Sequence, residues 1–234
     1  MRTLVVTPTY NERENIEALV DAVLSQPGQL EHLIVDDNSP DGTGDVADQI
    51  AKRESRFHVL HRAGKLGLGS AYREAFQKAL DDGYEAVISM DGDWSHDPSY
   101  LPRLTEAAEN ADLVIGSRYL NGISVVNWDL SRLVMSKFAN AYVRTITGLP
   151  FQDSTAGFQC IHRRALEAIN LGNITTDGYS FLVELKYRMH RAGITGVEVP
   201  IIFTQRRAGA SKISKAEILR SMLTPWRMRL GLWR

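Results

Sequence analysis

Residues 32–43 read His32-Leu33-Ile34-Val35-Asp36-Asp37-Asn38-Ser39-Pro40-Asp41-Gly42-Thr43: a short apolar run, two adjacent acids and a turn-forming segment. The run has the length of a buried strand, Asp36 and Asp37 close it, and the polar turn leads into a helix through about Ser55. The same unit recurs on both sides. Upstream, Leu4-Val5-Val6 is a strand, Pro8 and Asn11 lie in the turn after it, and Ile16, Leu19, Val20, Val23 and Leu24 make one apolar helical stripe. Asn11 and Glu14 have capping-box spacing at the start of that helix. Downstream, Phe57–Leu60 is a third strand, Gly67 to Leu80 a third helix, and Ala86–Met90 a fourth strand that stops at Asp91. Asp97 caps a helix whose first residue is Pro98, and Leu113–Ile115 is a fifth strand. This alternation over 115 residues predicts an α/β fold: a mostly parallel, Rossmann-like sheet with helices on both faces. Ligands of such sheets gather at the carboxyl ends of the strands, so the residues just after each strand are where chemistry is expected.

The second half is less regular. A helix from about Ser131 to Thr147 carries Leu133, Val134, Phe138, Ala141, Tyr142 and Ile146 on one face, which reads as core together with its methionine. Asp153–Phe158 is a loop entering a strand near Cys160, and Tyr179–Arg191 is a further helix. Val197–Phe203 is a strand interrupted by Pro200, which places it at a sheet edge. No repeat or linker divides the 234 residues, so one domain over 1–212 is expected, with halves of about 1–116 and 117–212. Residues 213–234 read as a basic amphipathic tail. Ser214 to Glu217 has capping-box spacing, Ile218, Leu219, Met222 and Leu223 share a face, and Pro225 is expected to end the helix. Trp226 and Trp233 among Arg227, Arg229 and Arg234 suit either a packed helix or a segment lying at a bilayer interface.

Composition excludes several classes. The chain is 44% hydrophobic and 24% charged, an ordinary globular balance. A single cysteine permits neither an internal disulfide nor a cysteine-based zinc site. No run approaches a membrane span, and the N-terminal apolar stretch is too short for a secretory signal. The formal net charge of -1 points to no nucleic acid, but it conceals an asymmetry. Eight of the 27 basic residues and one of the 28 acids follow Gln205, so the body carries about -8 and the end about +7. No P-loop or Gly-x-Ser-x-Gly is present, and Gly67-Leu68-Gly69 is a poor dinucleotide fingerprint because Tyr72 holds the third glycine position.

The acids carry the first chemical expectation. Two carboxylates about 6 Å apart repel by roughly 3 kcal/mol at an effective dielectric of about 20, so clustered acids at one sheet edge make sense if a divalent cation joins them. Mg2+ or Mn2+ favours one or two carboxylates plus substrate phosphates, which Asp91-Gly92-Asp93 suits, with Ser95 or His96 near enough to help. Arg118, Arg132, Arg206 and Lys212 stand at element ends and together read as an anion site.

These segments resemble the inverting family 2 glycosyltransferases and, within them, the polyprenol (dolichyl) phosphate mannose synthases. The resemblance runs from Pro8-Thr9-Tyr10-Asn11-Glu12 through Val35–Thr43, Arg62-x-x-Lys65-x-Gly67-Leu68-Gly69-x-Ala71 and Met90–Pro98. It continues in Gly116-Ser117-Arg118-Tyr119, Asp153-x-Thr155-Ala156-Gly157-Phe158, Gly178-Tyr179-x-Phe181 and Arg206-x-x-Gly209-x-Ser211-Lys212. It implies a GT-A type domain over residues 1–212, with a nucleotide-sugar half and an acceptor half. Pro8, Tyr10, Glu12, Asp37, Lys65 and Gly67 would then contact the nucleotide, Asp41 would support the loop, and Asp91 and Asp93 would hold metal and diphosphate. Ser95 stands where some members carry a metal-binding Gln, and Leu182 where the pattern has Gln after Tyr-x-Phe. Arg118, Arg132, Arg206 and Lys212 match positions for the acceptor phosphate and leaving diphosphate. The Gln-x-x-Arg-Trp signature of processive relatives is missing, which implies one transfer per binding event.

The implied reaction moves mannose from GDP-mannose to a polyprenyl monophosphate. That acceptor has a second pKa of about 6 and arrives deprotonated, so no general base is assigned; for a hydroxyl acceptor Asp153 is the position to watch. The implied setting is the cytoplasmic face of a membrane, reached through the tail or with a separate membrane anchor subunit. A UDP-glucose-type donor, a soluble acceptor, a non-catalytic sugar-nucleotide binder and a nucleotidyltransferase are the alternatives.

Overall fold

The computed structural model describes residues 1–205 and 215–232. Its first half is the expected series: β1 (Arg2–Thr9), α1 (Arg13–Leu24), β2 (Gln29–Asp36), α2 (Thr43–Ala51), β3 (Phe57–His61), α3 (Leu68–Asp81), β4 (Ala86–Ser89), α4 (Leu101–Ala107) and β5 (Leu113–Ser117). The second half adds β6 (Val125–Val126), α5 (Leu130–Thr147), β7 (Gln159–His162), α6 (Arg163–Glu167), α7 (Gly178–Arg191), β8 (Gly196–Pro200), β9 (Phe203–Thr204) and α8 (Lys215–Arg229). The main sheet has the order β3-β2-β1-β4-β7-β5-β8, and β6 with β9 forms a separate parallel pair. Among the described strands, β7 alone runs antiparallel to its neighbours. Its insertion between β4 and β5 carries the loop 153–158 to the carboxyl end of β4. Pro200 closes β8 at the sheet edge, where its missing N–H interrupts no ladder.

The strands alternate their side chains between two cores, which is why they read as continuous apolar runs. Leu4, Val6, Leu33 and Val35 pack with Tyr72 and Phe76 of α3 and Phe181 and Leu185 of α7. Val5, Ile88 and Val114 face Leu19 and Val23 of α1 and Leu101 and Leu104 of α4.

Local expectations fail where tertiary contacts take over. Asn11 adopts φ 57 and Glu12 stands at the N-cap of α1 without a side-chain cap, so the Asn11–Glu14 box does not form. Asp41 instead accepts the Arg13 N–H at 3.1 Å, from the loop after the neighbouring strand. Asp97 caps as expected, accepting from the Ser99 N–H at the start of a 3-10 turn. Only the C-terminal half of α5 meets the core, through Val143 and Ile146. Val134, Met135 and Phe138 are 60–64% exposed, which corrects the expectation that this face is core throughout. α8 runs through Pro225, which gives up one backbone hydrogen bond without ending the helix. Thr224, Pro225 and Met228 are buried among the α8 side chains described, and the helix lies against α5 and α7. Ser214 lies outside the described residues. No helix among the described residues is long and apolar enough to cross a membrane.

Candidate active site

At the carboxyl ends of β1 and β2 the acids divide their tasks. Asp36, 2% exposed, accepts from Thr9 and from the N–H and hydroxyl of Ser39, so it builds the turn rather than facing a ligand. Asp37 accepts from Arg62 Nη1 at 2.6 Å, and burial pushes its carboxyl up in pKa against the pull of that guanidinium. Asp41 accepts from the Thr43 N–H and hydroxyl and from Arg13; although burial opposes it, these bonds hold the carboxyl below its ordinary value. Glu12 donates its N–H to Thr43 Oγ1, which ties the turn after β1 to the start of α2. Lys65 Nζ lies 4.8 Å from the centre of the Tyr10 ring. Pro8 sits beside Val35 in the β1–β2 ladder, so Pro8, Tyr10, Glu12, Asp37, Asp41 and Lys65 share one sheet end.

At Gly67 packing sets a constraint of its own. Its φ is +97, and a Cβ would lie 1.8 Å from Asp177 Oδ2. Asp177 accepts the Gly69 N–H at 2.5 Å and the Gly178 N–H at 2.7 Å, so one carboxylate serves the starts of α3 and α7. The Gly67-Leu68-Gly69 pattern thus reflects two helix ends packed together.

After β4, the 91–96 turn is held by His96 and Asp93. His96 Nδ1 accepts the Asp91 N–H at 3.0 Å, and its ring stacks on Phe158 with centroids 4.8 Å apart. Burial lowers its pKa, and an accepting Nδ1 requires the neutral tautomer with the proton on Nε2. His96 therefore positions Asp91 and does not have that nitrogen available as a ligand. Asp93 Oδ1 accepts the Ser95 N–H at 3.1 Å, and the Ser95 hydroxyl is enclosed without a hydrogen-bond partner among the described residues. A Cβ at Gly92 would lie 3.3 Å from Thr7 and 3.8 Å from Glu12, so this turn rests on the end of β1. Among the described residues no group of three or more His, Cys, Asp or Glu side chains converges on one point.

Beyond β5 lies a cationic, aromatic patch. Arg118 is gripped by Asp153, Nε to Oδ2 at 2.7 Å and Nη2 to Oδ1 at 2.6 Å, with Nη2 also reaching Thr155 Oγ1 at 2.9 Å. Burial would raise Asp153, but this pairing keeps its pKa below the ordinary value. Asp153 is therefore committed to Arg118, not placed as a base. Arg118 lies 5.3–5.6 Å from the ring centres of Tyr119, Trp128 and Phe203, and Arg132 lies 4.1 Å from that of Trp128. The loop 153–157 joins this patch to the acids: a Cβ at Gly157 would lie 3.6 Å from His96 and 4.0 Å from Asp91 Oδ1.

The residues expected from sequence thus collect at one sheet end, apart from Arg206 and Lys212, which lie outside the described residues. Trp128, Asn140 and Lys186 join them without having a sequence signal of their own, and so does Arg62 in its role as partner of Asp37. Arg62 stands inside a family segment, but its pairing with Asp37 links residues 25 apart. Asn140 is a polar residue that α5 turns inward, where its side chain bonds Thr155 in both directions.

Comparison with known proteins agrees with this architecture. The profile described as "Glycosyl transferase family 2" matches residues 4–169. The chain is 46% identical over 232 residues to the polyprenol monophosphomannose synthase of Mycolicibacterium smegmatis, covering 97% of this chain and 88% of that protein. It is 45% identical over 214 residues to the undecaprenyl-phosphate mannosyltransferase of Micrococcus luteus, covering 92% and 88%. Among solved structures, glucosyl-3-phosphoglycerate synthase from Mycobacterium tuberculosis, in complex with Mn2+, UDP and glucosyl-3-phosphoglycerate, superposes with a TM-score of 0.67 at 21% identity. That match covers 98% of this chain and 80% of the other. The same enzyme with Mg2+ and UDP gives 0.66 at 20% identity, covering 98% and 79%. The chain belongs to glycosyl transferase family 2. It is a glycosyltransferase with a GT-A-like fold.

Proposed function

We propose that this enzyme transfers mannose from GDP-mannose to a polyprenyl monophosphate by an inverting single displacement that depends on a divalent cation. The observation that carries the reading is the apposition of two chemically opposite surfaces at one sheet end. Asp91 and Asp93 flank a turn that touches β1, and the Arg118–Arg132–Trp128 patch is joined to it by the loop 153–157. The names of the two relatives, at 45–46% identity, supply mannose and the polyprenyl phosphate acceptor.

The donor set fits Mg2+ or Mn2+, which take oxygen ligands and keep positions for substrate phosphates. Asp91 and Asp93 would hold the ion, with the enclosed Ser95 hydroxyl as the candidate third protein donor. Bound there, the cation would neutralise the diphosphate as it leaves. The chain's own residues do the rest. His96, locked neutral, aims Asp91. Pro8, Tyr10, Glu12, Asp37, Asp41, Lys65 and Gly67 build the nucleotide side. Arg132 and Arg118, with Arg206 and Lys212 by resemblance, balance the charge of two phosphates brought together. No residue need remove a proton from a phosphate dianion, which agrees with Asp153 being spent on Arg118.

The acceptor lipid has to be met at a bilayer. Leu130, Val134, Met135 and Phe138 of α5 and Met222, Leu223, Trp226 and Leu230 near the chain end are 46–74% exposed, with Lys137, Arg144, Arg227 and Arg229 among them. We take these as the surface that lies on anionic lipid, placing the enzyme peripherally on the cytoplasmic face, with or without a membrane anchor subunit.

A thermal-shift panel of GDP-mannose, GDP-glucose and UDP-glucose, each with and without Mn2+, tests the donor. Metal-dependent stabilisation by GDP-mannose above the others is expected, and equal or greater stabilisation by UDP-glucose would overturn the choice of nucleotide.

A further inference from the structure

The loop 152–157 is secured from almost every direction. Glu198 of β8 accepts the Gln152 and Asp153 N–H groups, Arg118 grips Asp153, Asn140 of α5 holds Thr155, and Ser89 of β4 donates to the Gly157 carbonyl at 2.6 Å. One tether comes from α7, and it is a buried amine. Lys186 is fully buried, and its Nζ donates to the Ala156 carbonyl at 2.7 Å and to the Leu182 carbonyl at 3.3 Å.

An ammonium in this position is expensive. Burial penalises the charge, whereas a methionine or leucine at this buried position of α7 would carry no such penalty. The charged groups that act on it are Asp153, Arg118 and Glu198, while Glu184 and Arg188 of its own helix bond each other. Its direct bonds, however, are to two carbonyls. Leu182 lies one helical turn earlier on α7. The Leu182 side chain already reaches the same loop, since a Cβ at Gly157 would lie 3.5 Å from Leu182 Cδ1.

We propose that Lys186 is a positioning residue: through the Ala156 carbonyl it fixes the 153–157 loop, and with it both the Asp153–Arg118 clamp and the Gly157 wall beside Asp91. This rests on the reading of that loop as part of the acceptor site. The geometry does not call for Lys186 to touch substrate.

The test uses the full chain as Lys186→Met and as the double variant Leu182→Gln/Lys186→Met, which places an amide donor beside the same loop. Two readouts are taken: backbone hydrogen exchange without ligands, and separate KM values for GDP-mannose and a short-chain polyprenyl phosphate. Loss of the bond to the Ala156 carbonyl predicts about tenfold faster exchange confined to residues 153–158 in Lys186→Met. The acceptor KM should rise about tenfold while the donor KM stays within about twofold, and the double variant should recover most of both changes. Unchanged exchange in 153–158, or acceleration spread equally over the sheet, would overturn the proposal, as would equal changes in the two KM values. If the wild-type enzyme does not use polyprenyl phosphate, the functional reading fails, and the exchange arm still decides whether Lys186 holds the loop.

Discussion

Arg118 and Asp153 show how a side chain's partner decides its role. An arginine after a strand reads as a phosphate ligand, and an aspartate opening a loop reads as a candidate base. Paired as a bidentate fork inside the protein, they become a clamp that sets the direction of a guanidinium. Asp153→Ala leaves Arg118 buried without its counter-charge and should cost about 3–5 kcal/mol of unfolding free energy in urea titrations. The double variant Arg118→Met/Asp153→Leu should recover much of that loss. A second expectation concerns pH. Burial brings Lys186 from the ordinary lysine value of 10.5 down to about 7. The folded chain then releases a proton near pH 7 that the unfolded chain keeps up to about 10.5, so stability from this group rises with pH across that window. Urea titrations at about pH 7 and about pH 9.5 should show that rise in the wild type relative to Lys186→Met; a parallel response of the two proteins would contradict it. Asp91, Asp93 and Arg132 were legible in the sequence because each follows a strand or opens a helix. The partners Arg62, Asn140 and Lys186 were not, since their pairings join residues 15–30 apart through the fold.

Elements were legible where burial on one face imposes a single period. The strand–helix units of the first half are of that kind, because their apolar stripes all face one sheet. α5 is not: Val134 and Phe138 keep the helical spacing of core residues, yet only the far end of the stripe, at Val143 and Ile146, is inside. A period records that a face avoids water; it does not record whether protein or lipid covers it. Met135→Ser and Phe138→Ser should therefore change unfolding free energy by no more than about 0.5 kcal/mol, while lowering co-sedimentation with anionic liposomes. A core-like loss of stability would refute the surface assignment. Gly67 makes the opposite case, where a residue's absence of side chain is the signal. Gly83 and Gly67 both have positive φ, but a Cβ at Gly83 would meet open space, whereas one at Gly67 would fall 1.8 Å from Asp177 Oδ2. Gly83→Ala should cost about 1 kcal/mol from backbone conformation alone, and Gly67→Ala distinctly more, because the contact joining α3 to α7 must also open.

Across the whole molecule, the near-zero net charge separates into working parts. Asp37, Asp91 and Asp93 stand at the sheet end where the proposed cation and diphosphate would be met, and the excess of basic residues lies in the last stretch of chain, which also carries exposed apolar residues of α8. Such a distribution suits an enzyme that takes a soluble nucleotide sugar from one side and a phosphate anchored in a bilayer from the other. The most direct test is transfer of radiolabelled mannose from GDP-mannose into organic-extractable polyprenyl phosphate mannose, with wild type and Asp93→Ala, with Mn2+ and with EDTA. Label should enter the lipid fraction with wild type and Mn2+ only, falling by at least about a hundredfold in Asp93→Ala. Undiminished transfer by Asp93→Ala or in EDTA, or label that never enters the lipid fraction, would contradict the account.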